Sequence, residues 1–514
     1  MSSAASSSRR QPACAEADGT SRLRRFLTHA TVCGWLGLAI LLFLLQTLPY
    51  LSYRWVTDES WYAGPAYSIA HGDGVADPAI GPNDLENHFD ARPPGTAIVI
   101  AVFFWLFGAT QIAARSGSIL AGLAIVFLVY CLARDVIGDK GALVAAFLIA
   151  TDNLIVLASR SARPEALTTA TILASLLAMK QYFRNSRMVW AFVSGFVIAM
   201  GTMFHITLLG YIVSFGILVI VFDHRRGGFQ LRGAVGYGIG YVLGLLPFIV
   251  WIMAAPMGAA GLRKEFLNRA GGESLWSRFL QEGHRYSDLL GFNMLHGHAL
   301  ESIPVRFPIP LLFLVASCLL WKLRRQWFYL ELLLLIPTVF WLIYTVNKSS
   351  RYLSIVAPIF ALVMGAAVAA TRTNRKLHRI VFVVSCLIVA VQMSANFLLL
   401  HAARSADYNK VAAELRSVIP LGQTSYGTIT FWLALHDGPF ISYERTDPWM
   451  AATRFHAKYF IVGDRVMTNG QLGDEAFYES LRRRTNEVIS QSELVGYFRD
   501  PYYGDLKVYK LNAP

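Results

Sequence analysis

The chain has 514 residues, 55% of them hydrophobic and only 15% charged, with a formal net charge of +13 and a mean hydropathy of +0.44. Soluble domains carry nearer a quarter charged residues, and apolar runs of about twenty residues, enough to cross the hydrocarbon core, recur through the first 400 positions. A soluble enzyme, a coiled coil, a disordered chain and an outer-membrane barrel with alternating strands are thereby excluded, and the basic excess reads as orienting loop charge rather than a nucleic-acid surface.

Residues 1–29 are Ser- and Ala-rich, then basic (Arg22, Arg24, Arg25), and read as a disordered cytoplasmic tail. Val32–Tyr50 reads as a retained signal anchor, because no small-residue cleavage site precedes its polar flank. Basic clusters follow at Arg134/Lys140, Lys180/Arg184/Arg187, Arg225/Arg226/Arg232, Lys322/Arg324/Arg325 and Arg372/Arg375/Lys376/Arg379. The positive-inside rule puts them all on the face of the tail, so an even number of crossings joins any two of them.

That parity demotes the short apolar run 95–108, which follows Arg92-Pro93-Pro94-Gly95, to an interfacial or re-entrant helix within one external loop, 52–112. The crossings are then 31–51, 113–133, 141–158, 164–180, two within 189–222 with a turn near Gly201–His205, 233–254, 307–321, 328–346, 351–370 and 379–400. A second external loop spans 255–305. The expected architecture is an all-α polytopic membrane domain over 30–402, with about eleven transmembrane helices and interfacial helices in the first external loop. An external α/β domain over 403–514 follows it, with a helix at Asp407–Val418, strands at 458–462 and 506–511, and a helix at Asp474–Arg484. No phosphate loop occurs in this domain, so donor binding is expected to rest with the membrane domain. The five cysteines form no CxxC pair, and neither a disulfide framework nor a zinc knuckle is expected.

The unusual polar residues gather on the external face. Asp58-Glu59 follows the first helix, beside Trp61-Tyr62; a carboxylate pair at membrane depth is costly and suits general-base or metal chemistry, although Thr57 or Asp58 would also serve as a helix cap. Adjacent helical residues point about 100° apart, so only one of the two faces a cavity well. His88-Phe89-Asp90-Ala91-Arg92-Pro93-Pro94-Gly95 sets an arginine at the start of the interfacial run, fit for an anion or for snorkelling. Ser159-Arg160-Ser161-Ala162-Arg163-Pro164-Glu165 puts two arginines outside, against the orientation rule, with Pro164 in a first helical turn and Glu165 just inside it. Lys348-Ser349-Ser350-Arg351-Tyr352 sets two cations at a helix mouth, suited to a lipid phosphate. His296-Gly297-His298 is a weak metal signal.

In order, spacing and shared face these motifs, with Leu106-Phe107-Gly108 and Ala114-Arg115, resemble the C-type membrane glycosyltransferases. The branch is that of the lipid A aminoarabinose transferase and the dolichyl-phosphate-mannose protein mannosyltransferases. The resemblance implies a polyprenyl-phosphate sugar donor and a lipid, glycan or protein acceptor, used at the outer face of a bacterial inner membrane. It implies Asp58 as base or acceptor-binding group, with Glu59 and Glu165 completing the catalytic set. Arg92, Arg163, Lys348 and Arg351 would hold the donor phosphate, and Tyr62, His88, Arg269, Arg285 and Tyr352 would contact substrate. Two positions depart from the pattern: Glu165 stands where relatives often carry Asp, and Arg92 where the aminoarabinose type carries Lys. No cofactor is fixed, and a divalent metal is compatible. A transporter or flippase of lipid-linked sugars is the alternative, but the spanning runs hold almost no ionisable residues at mid-depth.

Overall fold

The computed structural model describes residues 16–80, 92–225, 231–254, 350–444, 446–463, 475–490 and 492–512, with a few positions between 274 and 318. The chain is a multi-pass helical membrane protein with a C-terminal α/β domain. Among the described residues six helical stretches are long and apolar enough to cross a membrane: Ala30–Tyr50, Gln111–Thr151, Ile206–His224, Leu231–Ala254, Leu353–Thr373 and Arg375–Ala403. The runs at 307–321 and 328–346 lie outside the described residues for all but positions 316–318.

Helix α1 (Glu16–Thr47) begins inside the segment that the sequence reads as a tail, so positions 16–29 are helical rather than disordered. After α2 (Thr57–His71) and α3 (Gly95–Phe107) comes α4 (Gln111–Thr151), which Gly138 breaks with φ 71° and ψ 167°. The break is a reversal. Tyr130 Oη donates to Asp139 at 2.9 Å, whereas nine residues of continuous helix would separate the two by roughly 13 Å. The two halves correspond to the runs read at 113–133 and 141–158. Helices α5 (Asn153–Ser159), α6 (Pro164–Asn185), α7 (Met188–Met200), α8 (Leu209–Arg225) and α9 (Leu231–Ala254) follow. The turn between α7 and α8 falls at 201–208. A 3₁₀ segment, Ser350–Ile355, packs against α5 and α6 and leads into α10 (Ala357–Ala370) and α11 (Arg375–Ala403).

Inside the bundle the helices are tied by amides. Asn396 Nδ2 donates to Gln46 Oε1 at 2.7 Å and to the Thr151 carbonyl at 2.9 Å. Asn153 Nδ2 donates to Asn396 Oδ1 at 2.9 Å, and Thr151 Oγ1 to Gln392 Oε1 at 3.2 Å. All five residues are buried. An unmet amide in hydrocarbon costs several kcal/mol, so the network favours one register of α1, α4, α5 and α11.

The C-terminal part holds α12 (Tyr408–Val418), β1 (Ser425–Gly427), β2 (Phe440–Ser442), α13 (Pro448–Thr453), β3 (Tyr459–Gly463), α14 (Glu475–Ile489), β4 (Glu493–Asp500) and β5 (Gly504–Lys510). The sheet order is β2-β1-β3-β5-β4, parallel from β2 to β3 and antiparallel thereafter. This part does not stand apart from the membrane domain. Trp55, Ala63, Ala66, Ile100 and Phe104 of the 52–112 segment share one buried core with Tyr408, Leu415, Phe431, Trp432 and Tyr503. The Trp55 N–H donates to Tyr503 Oη at 2.8 Å, and the Tyr503 hydroxyl donates to the Trp55 carbonyl at 2.8 Å. Helix α2, which the sequence suggests could lie in the interface, is instead packed between α3 and the C-terminal domain. Its small residues Ala63, Gly64, Ala66 and Ser68 are buried, which allows the close approach on both sides.

Candidate active site

The candidate site is organised by α2. Its first three residues, Thr57, Asp58 and Glu59, sit about 100° apart around the axis and meet three different environments. Glu59 points into the protein. Its side chain is 1% exposed and forms a two-pronged pair with Arg115, which is 0% exposed. The distances are 2.8 Å from Arg115 Nε to Oε1 and 2.7 Å from Nη2 to Oε2. Every guanidinium donor of Arg115 is used, since Nη1 donates to the carbonyls of Tyr50, Leu51 and Tyr53 and Nη2 also to that of Arg54. Glu59 in turn accepts from the Ala162 N–H at 2.8 Å and the Val56 N–H at 3.3 Å. One ion pair thus joins the end of α1, the start of α2, α4 and the turn before α6.

Asp58 faces the other way, and its side chain is 46% exposed. It pairs with Arg163 Nη1. Arg163 is buried and also donates to Glu165, from Nη2 to Oε1 at 2.7 Å and from Nε to the same oxygen at 3.0 Å. Local sequence sets this up: Arg163 is the extended N-cap of α6, Pro164 occupies the first helical position, and Glu165 follows in the first turn. Burial alone would lower the Arg163 pKa, but the carboxylates of Glu165 and Asp58 outweigh it and hold the guanidinium well above its ordinary value. The cation is fixed between an open and a buried carboxylate.

Arg92 lies at the edge of the same loop, its guanidinium 4.9 Å from the Trp61 ring centre and 5.6 Å from that of Tyr62. Behind it, α3 starts at Gly95, where a Cβ would come within 2.5 Å of the Met203 carbonyl. Only glycine lets the interfacial helix seat on the 201–203 turn. The outer face of α3, with Ile98, Val102, Trp105 and Phe107 exposed, is apolar, as a helix lying against lipid requires.

The structure therefore brings Asp58, Arg163 and Glu165 together, sets Arg92 and Tyr62 side by side, and turns Glu59 away. The 3₁₀ segment carrying Arg351 and Tyr352 packs on α5 and α6, the elements that flank the Arg163 turn. His88, Arg269, Arg285, Lys348 and the His296/His298 pair lie outside the described residues. Two arginines escape the candidate set read from sequence although its motifs contain them. One is Arg115; the other is Arg160, buried with its guanidinium 4.0 Å from the Tyr50 ring centre. The signal for Arg160 was an arginine read as outside against the charge rule, whereas Arg115 stood in the sequence only as part of the Ala114-Arg115 motif.

Comparison with known proteins bears on this arrangement. Residues 91–253 match the family described as dolichyl-phosphate-mannose-protein mannosyltransferase. A polyprenol-phosphate-mannose–protein mannosyltransferase of Mycolicibacterium smegmatis is 26% identical over 232 residues, 38% of this chain and 43% of that one. Among solved structures, ArnT from Cupriavidus metallidurans bound to undecaprenyl phosphate superposes with a TM-score of 0.62, at 14% identity, over 94% of this chain and 98% of that one. Over residues 91–253 the chain is thus similar to this mannosyltransferase family in sequence, and over nearly its whole length it is similar to ArnT in fold. The chain is also similar in fold to AglB from Archaeoglobus fulgidus, solved with an inhibitory peptide and a dolichol-phosphate. That chain matches at a TM-score of 0.52 and 12% identity, over 93% of this chain and 74% of its own. The present chain covers 43% of the length of the curated mannosyltransferase it matches, and the family match at 91–253 includes α3, the Arg163 turn and α6.

Proposed function

We propose that the protein is an integral-membrane glycosyltransferase that moves a sugar from a polyprenyl-phosphate donor to a lipid, glycan or protein acceptor at the external face of a bacterial inner membrane. The observation that carries this reading is the half-exposed Asp58 carboxylate, held by Arg163 at the mouth of α6 beside an interfacial helix. The similarity to polyprenyl-phosphate-dependent proteins supports the donor class.

In this proposal Asp58 takes the proton of an acceptor hydroxyl as it attacks the anomeric carbon. Arg163 and Glu165 keep the carboxylate aimed. The leaving lipid phosphate needs cations rather than a strong acid, and Arg92, Lys348 and Arg351 serve that role. A phosphate at Arg163 would have to displace Asp58, so Arg163 is assigned to orienting the base. Tyr62 shapes the entry beside Arg92. His88, Arg269, Arg285 and Tyr352 remain proposed substrate contacts. Glu59 is assigned to holding the loop through Arg115. A divalent metal remains compatible with the proposal, and no step is routed through one. The test is to incubate the purified chain with radiolabelled polyprenyl-phosphate sugars and a membrane extract. Label moving from the donor into acceptor supports the reading, and none moving from any donor with folded protein would refute it.

A further inference from the structure

The third residue of the α2 triplet is the least obvious. The Thr57 hydroxyl lies 2.9 Å from that of Thr430, across 373 positions of sequence. The Thr430 hydroxyl is 3.3 Å from that of Thr428, and Thr428 Oγ1 donates to Glu444 Oε1 at 2.7 Å. Glu444 also accepts from the Ser442 hydroxyl and from the Ile429 N–H at 3.1 Å. Each threonine hydroxyl has a single proton. Thr428 Oγ1 gives its proton to the nearer Glu444 oxygen, with Thr430 Oγ1 the more distant second acceptor, and the Thr430 N–H donates back to Thr428 Oγ1 at 3.4 Å, so Glu444 and Thr428 together fix the residue that meets Thr57. Capping of the 3₁₀ turn at Ile429–Ala434 accounts for Thr428 and Glu444. It does not call for the Thr430 hydroxyl to reach across to α2.

The first turn of α2 is thus held on two sides. Glu59 is locked to Arg115 on the membrane side, Thr57 to the C-terminal domain on the other, and Asp58 stands between them. We propose that Glu444, acting through the hydroxyls of Thr428, Thr430 and Thr57, is a positioning residue by which the C-terminal domain aims Asp58 at the acceptor. The inference rests on Asp58 being the base. Rotating the first turn of α2 by a small angle moves the Asp58 carboxylate without touching the donor phosphate site near Arg92. Catalytic turnover, not donor affinity, is what this hydroxyl chain controls.

The test is a coupling measurement on the full-length protein, with radiolabelled polyprenyl-phosphate sugar as donor and membrane extract as acceptor source. Thr430→Val keeps shape and removes the hydroxyl. It should lower kcat about tenfold, the scale of a sub-ångström misplacement, with donor KM unchanged. Thr430→Ser, which restores the hydroxyl, should recover most of that loss, and Glu444→Gln should behave like Thr430→Val. In an Asp58→Asn background the Thr430→Val change should have no further effect, because there is no base left to aim. An equal fractional loss in both backgrounds, or a loss that appears in donor KM and is not rescued by serine, would overturn the proposal while leaving the base assignment standing. Normal turnover by Asp58→Asn alone would remove the base assignment, and the positioning role with it.

Discussion

Asp58 and Glu59 are neighbours of the same charge with opposite fates. Glu59 is dry, doubly bonded to an arginine whose every donor is satisfied, and has no face left for a substrate. Asp58 is nearly half exposed and shares an arginine with a second carboxylate. The difference teaches how a helix start can serve two purposes: one residue ties the loop to the bundle so that the next can be aimed. It also separates two kinds of arginine. Arg115 joins backbone segments and Arg163 joins side chains. Loss of the first should therefore read as instability and loss of the second as inactivity.

The sharpest way to break this contrast is Arg115→Met. It strands a buried Glu59 and several carbonyls, so it should destabilise by about 3–5 kcal/mol, seen as lost thermal stability in detergent. A variant that folds normally and loses only turnover would reverse the assignments. Stopping the chain at residue 403 should do comparable damage by a different route. The sequence leaves the C-terminal part as a separable domain, but Trp55, Phe104 and their neighbours share its core. The truncated chain should lose protease resistance in 52–112 and donor binding together; retention of both would show the shared core to be dispensable. Arg163→Ala strands the buried Glu165 but no backbone carbonyls, so it should cost less thermal stability than Arg115→Met, while turnover falls by more than the folded protein lost. Arg92→Ala should weaken donor affinity roughly tenfold, since a charge-assisted contact to phosphate contributes about 1.5–3 kcal/mol. Arg92→Lys should rescue only part of this, because lysine lacks the planar fork.

The smallest effect concerns Glu444, whose carboxyl burial pushes above its ordinary value of 4.5 against the hydrogen bonds from Ser442 and Thr428. A folded state that binds this proton more tightly than the unfolded one has its added stability below the unfolded value and loses it as pH rises through the folded one. Melting curves from pH 4 upward should show that decline, and Glu444→Gln should flatten it. A decline of unchanged size in the glutamine variant would assign it to other groups.

The reversal within α4 and the shortness of α3 were legible because loop charge and run length are written locally. The break at Gly138 lies between Arg134 and Lys140, and α3 is as short as its apolar run. That only one of Asp58 and Glu59 would face a cavity followed from helical geometry. Which one, and why, depended on Arg115, 56 residues away and named in the sequence only as part of a motif. The docking of the C-terminal domain was illegible for a related reason. Tyr408, Trp432 and Tyr503 lie in what reads as a separate α/β domain, and nothing in their spacing says that part of its core is α2. The chain from Thr57 to Glu444 crosses the same seam and left no local pattern.

The most direct test of the account is single-turnover transfer from radiolabelled polyprenyl-phosphate sugar by Asp58→Asn, with Glu59→Gln alongside and folded fraction measured for both. The account predicts that Asp58→Asn falls on the order of 10²–10⁴-fold in rate with donor affinity and folded fraction near normal. It predicts that Glu59→Gln loses stability first and rate only in proportion to the folded protein lost. Near-normal transfer by Asp58→Asn, or a well-folded Glu59→Gln that is inactive, would contradict it.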